Sequence, residues 1–253
     1  NDVYRFISGN YRSLVIRSDD GVTVVDPISK KSATELKSRI KEQFDTPVTQ
    51  VIYTHNHPDH VYGAEVFKEP GVRFIAHESA RSNLVRTQAD TIIPDTTFSD
   101  TLTLHQGERK IKLSYYGPNN GYGNVAVSVF PDDVVFVADW VVLGRMPYKD
   151  LRGYDIQGML DSTEKLLEQP FSIFVGAHAD IGKKADVVDY YNYLTALHDG
   201  VLAGVKEGKS LEQIQASLTL EDFDHLARFN DWRALNIKGV YNQLLQMSYL
   251  DMR

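Results

Sequence analysis

The sequence predicts an α+β protein, a four-layer αββα sandwich with a helical C-terminal region. Three observations predict it. Short β-branched runs separated by turn residues recur from residue 3 to residue 138. The pattern divides into two halves, each reading as strands followed by a helix, which suits two sheets sandwiched between helices. From Ala185 onward the periodicity is helical throughout.

Val3 to Ile7 and Arg12 to Arg17 alternate like strands around the turn Ser8-Gly9-Asn10. Asp19-Asp20-Gly21 is a hairpin turn leading into Val22 to Val25, which Asp26-Pro27 ends. Ser32-Ala33-Thr34-Glu35 has capping-box spacing and predicts a helix reaching about Phe44. Val48 to Tyr53 reads as a buried strand, and Val61 to Phe67 as a short helix. Val72 to Ala76 is a strand ending at His77, Ser79 to Ala89 a helix, and Asp90 to Asp100 a Pro- and Thr-containing loop. Thr101 to Leu104, Ile111 to Tyr116, Val125 to Phe130 and Val134 to Ala138 read as four strands. Ile156 to Leu167 is helical, and Phe171 to Val175 is a strand. In the tail, Val187, Tyr190, Tyr191, Leu194, Leu197, Val201 and Val205 form an apolar stripe that Gly208 terminates. Helices over 210–218, 221–229 and 232–249 follow. Residues 1–184 are thus expected to form the core, and residues 185–253 a helical region that packs on it or extends it.

Composition limits the function classes. With 42% hydrophobic and 24% charged residues, the 253-residue chain is ordinary for a soluble globular protein. No apolar run approaches the ~20 residues needed to span a membrane. A formal net charge of −7 argues against nucleic acid as a partner. The expected partner is a small-molecule substrate; the sequence leaves the oligomeric state open. The absence of cysteine excludes a disulfide framework and thiolate ligands. Together with a first residue other than Met, it favours a periplasmic or secreted location with a leader already removed.

The chemistry concentrates in Thr54-His55-Asn56-His57-Pro58-Asp59-His60. Three histidines and a carboxylate lie within six residues, on a loop at the C-terminal end of a strand. Imidazole nitrogen and carboxylate oxygen are good zinc ligands, and a rigid strand can aim them into one pocket. No nucleophile-elbow motif and no Walker-type phosphate loop occurs. Metal-assisted hydrolysis is therefore the leading reading.

This stretch is an HxHxDH motif, and over roughly its first two thirds the chain resembles the metallo-β-lactamase fold superfamily. The resemblance implies one metal site at His55 and His57 and a second at Asp59 and His60. It also implies Asp139, after the strand 134–138, and His178, in Gly176-Ala177-His178, as downstream ligands. Asp26 is implied as a buttress of the metal loop. In Gly117-Pro118-Asn119-Asn120 the sequence departs from the family, because Asn120 stands where a His ligand is usual. A carboxamide is a poorer zinc ligand than imidazole. One tight ion is then expected at the set Asp59, His60, His178 with Asp139, and a weak or empty first site. Zinc is the expected metal, with manganese or iron as alternatives, and Asn119, Tyr122 or a water as alternative replacements for the missing ligand.

Asp59, Asn120 and Tyr122 are the candidate catalytic residues, Tyr122 as a donor to a developing oxyanion. Trp140, Arg145 and Tyr148 are candidates for the pocket wall. His77 reads as a supporting or core histidine, and His105, His198 and His225 as surface residues. The expected substrate carries an ester, lactone or amide, β-lactams included. A thioester hydrolase of the glyoxalase II kind, to which the helical C-terminus points, and a metal- or ligand-binding protein with little turnover are the alternatives.

Overall fold

The computed structural model describes residues 2–248. Six strands form the first sheet in the order in which they occur: β1 (Val3–Ser8), β2 (Tyr11–Ser18), β3 (Gly21–Val25), β4 (Val48–Ile52), β5 (Arg73–His77) and β6 (Thr96–Phe98). β1 to β3 are antiparallel neighbours, whereas β3 to β6 run parallel. The second sheet contains β7 (Thr101–Gln106), β8 (Arg109–Tyr115), β9 (Val125–Phe130), β10 (Val134–Val137), β11 (Ile173–Gly176) and β12 (Ile181–Gly182). It is antiparallel except where β10 meets β11.

Parallel neighbours need crossovers, and helices supply them. α1 (Lys30–Phe44) joins β3 to β4, and α4 (Ile156–Glu168) joins β10 to β11. α2 (Pro58–Val61), a 3-10 turn (Ala64–Phe67) and α3 (Glu78–Arg86) follow the central strands of the first sheet. α5 (Lys184–Lys206), α6 (Leu211–Ser217), a 3-10 turn (Glu221–Phe223) and α7 (Phe229–Ser248) complete the described chain.

Three apolar clusters separate four layers. The middle cluster lies between the sheets, where Leu14, Ile16, Ile52 and Ile75 meet Leu113, Val127 and Phe136. A second joins the outer face of the first sheet to Leu36 and Ile40 of α1 and Leu84 of α3. The third joins the outer face of the second sheet, at Val135 and Val137, to α4, α5 and α7. Central strands therefore bury both faces, which explains their near-continuous Val and Ile runs.

The structure adjusts several local expectations. α1 begins three residues earlier than the capping box suggested: Ser29 is its N-cap, accepting from the Ser32 amide. The stretch 90–100 is not all loop, because Thr96–Phe98 pairs with β5 as an edge strand. The helix expected over 61–67 splits into α2 and a 3-10 turn at Gly63, whose backbone has φ +122 and packs against the Ser29 carbonyl. The helix expected over 221–229 shortens to a single 3-10 turn, and α7 starts at Phe229. Tyr249, the expected end of that last helix, lies outside the described residues.

Val187, Tyr190, Tyr193, Leu194, Leu197 and Val201 of α5 are buried in the third cluster together with strand residues Val135 and Val137. Shortening Leu197 to Ala removes a fully buried side chain from that contact. The expected loss is about 2–5 kcal/mol of unfolding free energy in urea titrations. A loss below about 1 kcal/mol would mean that α5 does not depend on this cluster.

Candidate metal centre

Strand ends build the site. β3 delivers Asp26, β4 the loop Thr54–His60, β10 Asp139 and β11 His178. Asp26 and Asp139 both turn out of their strands with φ near +58 and +54. This left-handed region is uncommon for residues other than Gly and best tolerated by Asn and Asp. Strain of that kind persists where surrounding structure holds it.

Asp139 lies at the centre. Its Oδ2 is 3.2 Å from His55 Nε2 and 3.0 Å from His57 Nδ1. Its Oδ1 is 3.0 Å from His60 Nε2 and 2.9 Å from His178 Nε2. Those last two nitrogens are themselves 3.1 Å apart. Asp59 Oδ2 stands 3.9 Å from His60 Nε2 and 3.7 Å from His178 Nε2.

The far side of each ring fixes its tautomer. The buried Asp26 carboxylate accepts from the Thr54 amide at 2.8 Å, the Thr54 hydroxyl at 2.7 Å and His60 Nδ1 at 2.8 Å. The Asn10 carbonyl, which can only accept, takes His178 Nδ1–H at 3.2 Å. The Thr54 hydroxyl, its proton committed to Asp26, accepts from His55 Nδ1 at 3.0 Å. With Nδ1 so committed, His55, His60 and His178 all turn Nε2 towards the Asp139 carboxylate, and a neutral ring offers its lone pair there. Acceptors packed this closely repel unless positive charge lies among them.

Without a metal, that positive charge is a proton on His60. Burial pulls the His55 imidazole down to about 4, so it stays neutral. Burial also acts against a charged His60, but the Asp139 and Asp26 carboxylates outweigh it and hold that ring well above the ordinary range. Asp139 is buried as well, yet the imidazoles around it keep its carboxyl well below the usual value. The cluster is built to take up a cation. Two ligands of a tetrahedral zinc with bonds of 2.0–2.1 Å lie about 3.3 Å apart. The separations among His60, His178, Asp139 and Asp59, 2.9 to 3.9 Å, straddle that edge. The donor set therefore fits a divalent metal ion. Two overlapping groups have ligand atoms close enough to share one: His55, His60 and Asp139, and Asp59, His60 and His178.

Asn120 reaches the same place. It is 1% exposed and lines the cavity beside His57, Asp59, Asp139 and His178. Neither its Oδ1 nor its Nδ2 has a hydrogen-bond partner among the described residues. Its loop is tied down by Asn124, whose Nδ2 donates to the carbonyls of Asn120 and Ala138. At Gly121, φ is +69 and a Cβ would fall 2.9 Å from both Asn56 Oδ1 and His55 Cδ2, so the loop packs onto the metal loop only with glycine there.

Other candidates are not brought in. Tyr122 is 56% exposed and lines a separate depression with Ser82, Asn83 and Arg86. Trp140 is fully buried in the core beneath the site, so it does not form the pocket wall expected of it. His77 caps α3, accepting from the Ser79 amide, and its other ring nitrogen bonds the Ser99 carbonyl. Arg145 and Tyr148 do line the cavity, joined by Tyr11, Arg152 and Tyr154, which sequence reasoning did not single out. Thr54 and Asn10 were also missed, since only tertiary structure shows what they bond.

Replacing Asp26 with Asn should lower metal affinity roughly 10- to 100-fold while the fold survives. Competition with a chromogenic chelator measures this, and unchanged affinity would remove Asp26 from the account. Asp59→Ala and His178→Ala should lose most bound metal by elemental analysis; full occupancy in either variant would show that the ion sits elsewhere.

Comparison with known proteins bears on the family and the fold. A family model described as the metallo-beta-lactamase superfamily matches residues 9–178. The 2,4-dinitroanisole O-demethylase subunit alpha of Nocardioides sp. (strain JS1661) is 31% identical over 182 residues, covering 70% of this chain and 55% of that protein. The subunit beta of the same enzyme is 25% identical over 201 residues, covering 77% and 62%. A Bacillus cereus metallo-beta-lactamase type 2 is 28% identical over 115 residues, covering 45% and 44%. The chain spans about half the length of these curated relatives. Among solved structures, a stereoselective inverting sec-alkylsulfatase from Pseudomonas sp. matches with a TM-score of 0.81 at 14% identity. That match covers 96% of this chain and 49% of the other, so it takes in the helical tail. A metallo-beta-lactamase from Pontibacter korlensis matches with a TM-score of 0.66 at 18% identity, covering 76% and 93%. At such identities the structural likeness speaks to the fold alone. By the family model and the shared fold, the chain belongs to the metallo-beta-lactamase superfamily.

Proposed function

We propose that this chain is a metal-dependent hydrolase of ester-like bonds, with one tightly held ion at Asp59, His60 and His178 beside Asp139. The observation that carries the reading is the convergence of imidazole Nε2 atoms on the Asp139 carboxylate beside an open cavity of about 390 Å³. When bound there, a divalent cation supplies hydroxide near neutral pH and polarises an acyl, phosphoryl or sulfuryl oxygen. The protein's part is orientation. Asp26, Asn10 and Thr54 hold three rings in the ligating tautomer. Asp59, partly open to the cavity, turns Oδ2 towards His60 and His178 as the third ligand of that set. The unpartnered Asn120 amide presents one neutral acceptor and one donor beside His57. Because a carboxamide binds zinc more weakly than imidazole, the His55–His57 side is the weaker half of the site.

The names of the relatives widen the substrate panel beyond esters, lactones, amides and β-lactams. It should also include thioesters, sulfate esters and activated aryl methyl ethers. The expected result is turnover of at least one class, abolished by chelation and restored by zinc, manganese or iron. Metal-loaded protein inert towards every class would favour the ligand-binding alternative, and turnover that survives complete metal removal would overturn the reading. Asn120→His should raise zinc stoichiometry from one towards two in titrations of metal-free protein. Two equally tight ions in the unaltered chain would contradict the one-ion assignment.

A further inference from the structure

The cavity that holds the carboxylates also carries a cation that forms no ion pair among the described residues. Arg145 is half-buried and lines the cavity, and its Nε is buried without a hydrogen-bond partner among the described residues. It forms no ion pair among them either, whereas Arg228 nearby is paired with Asp231 at 3.2 Å. The two carboxylates of the cavity, Asp59 and Asp139, belong to the metal cluster. A buried N–H without an acceptor is costly, and the planar fork of a guanidinium suits a carboxylate, sulfate or phosphate group. Arg152 adds a second positive charge at the exposed edge of the same cavity.

Arg145 is held in place by the C-terminal region. Residues 144–146 pair with Ala227: the Ala227 amide donates to the Gly144 carbonyl at 2.9 Å, and the Met146 amide to the Ala227 carbonyl at 3.1 Å. Trp232 of α7 lies under the guanidinium, 5.5 Å from ring centroid to Cζ. The edge of Tyr148, another cavity residue, packs on the same indole at 5.3 Å. A cation–π contact with an indole holds a guanidinium in place while leaving N–H donors free for an anion.

We infer that the substrate carries an anionic oxygen group bound by Arg145, and that the helical tail, through Ala227 and Trp232, positions Arg145 to receive it. The inference deepens the hydrolase reading by naming the charge of the substrate, and uses that reading only to locate the reacting end. Arg145 is the recognition residue, and Trp232 is a positioning residue.

The test compares two probes of similar shape, benzenesulfonate and the uncharged methyl phenyl sulfone, titrated calorimetrically into the metal-loaded protein. The sulfonate should bind roughly 10- to 100-fold more tightly than the sulfone, as expected for one charge-assisted contact. Arg145→Gln should abolish that preference at unchanged metal content and melting temperature, and Arg145→Lys should restore only part of it. Trp232→Leu should weaken sulfonate binding and spare the sulfone, with Trp232→Phe recovering most of the loss. An equal affinity for both probes in the unaltered protein, or a preference that survives Arg145→Gln, overturns the inference. Turnover of the substrate panel, measured on the same preparations, separates the two ideas. Hydrolysis without anion preference sinks this inference alone, whereas anion preference without hydrolysis sinks the hydrolase reading alone.

Discussion

The Asp26 carboxylate is the contact on which the site depends. It is fully buried, so its charge must be matched by donors. It finds three, two from Thr54 and one from His60. Those bonds clamp both ends of the histidine-rich loop to the end of β3. They also decide the chemistry, because a ring that gives Nδ1–H to Asp26 can offer only Nε2 to the centre. Thr54 passes the same constraint on to His55. One carboxylate in a strained backbone thereby orders two imidazoles at once. Asp139, equally strained, gathers them from the other sheet. A metal site assembled between two sheets needs such anchors, since neither sheet alone carries a complete ligand set.

The tail extends this construction. Its α5 covers the second sheet, and the same apolar cluster continues through Leu226, Phe229 and Ile237. Asn236 of α7 donates to the carbonyls of Pro147 and Lys149 and accepts from the Tyr193 hydroxyl. These bonds tether the loop after Asp139, the loop that carries Arg145 and Tyr148 into the cavity. Packing of the tail and the shape of the substrate wall are thus one problem. A loop on the surface of a rigid scaffold is the usual carrier of specificity, and here α7 supplies much of the scaffold.

The metal loop was legible in the sequence because its ligands lie within six residues at the end of an apolar run. Asp139 and His178 were expected only through the family resemblance, and the fold brings both beside His60. The layered fold followed from the order of those strands and helices. What escaped is what local pattern does not encode. Asn10 acts through a backbone carbonyl, which any residue would provide. Thr54 matters for which atom its hydroxyl bonds. β6 is a three-residue edge strand paired only after folding. Tyr122 looked like a site residue because it stands two positions from Asn120, but Gly121 and Gly123, both at positive φ, turn the chain so that it faces outward. Arg145 was legible as a candidate for the wall, whereas its support from residues more than eighty positions away was not.

The central claim is that His60 and His178 present Nε2 to one ion, with Nε2 of His55 turned the same way, because Asp26, Asn10 and Thr54 hold their Nδ1 protons. Long-range 1H–15N spectra of the histidine rings in zinc-loaded protein measure this directly. The account predicts a protonated Nδ1 and a metal-shifted Nε2 for His60 and His178, with His55 in the same tautomer. A proton on Nε2 of His60 or His178 in the loaded protein would contradict it.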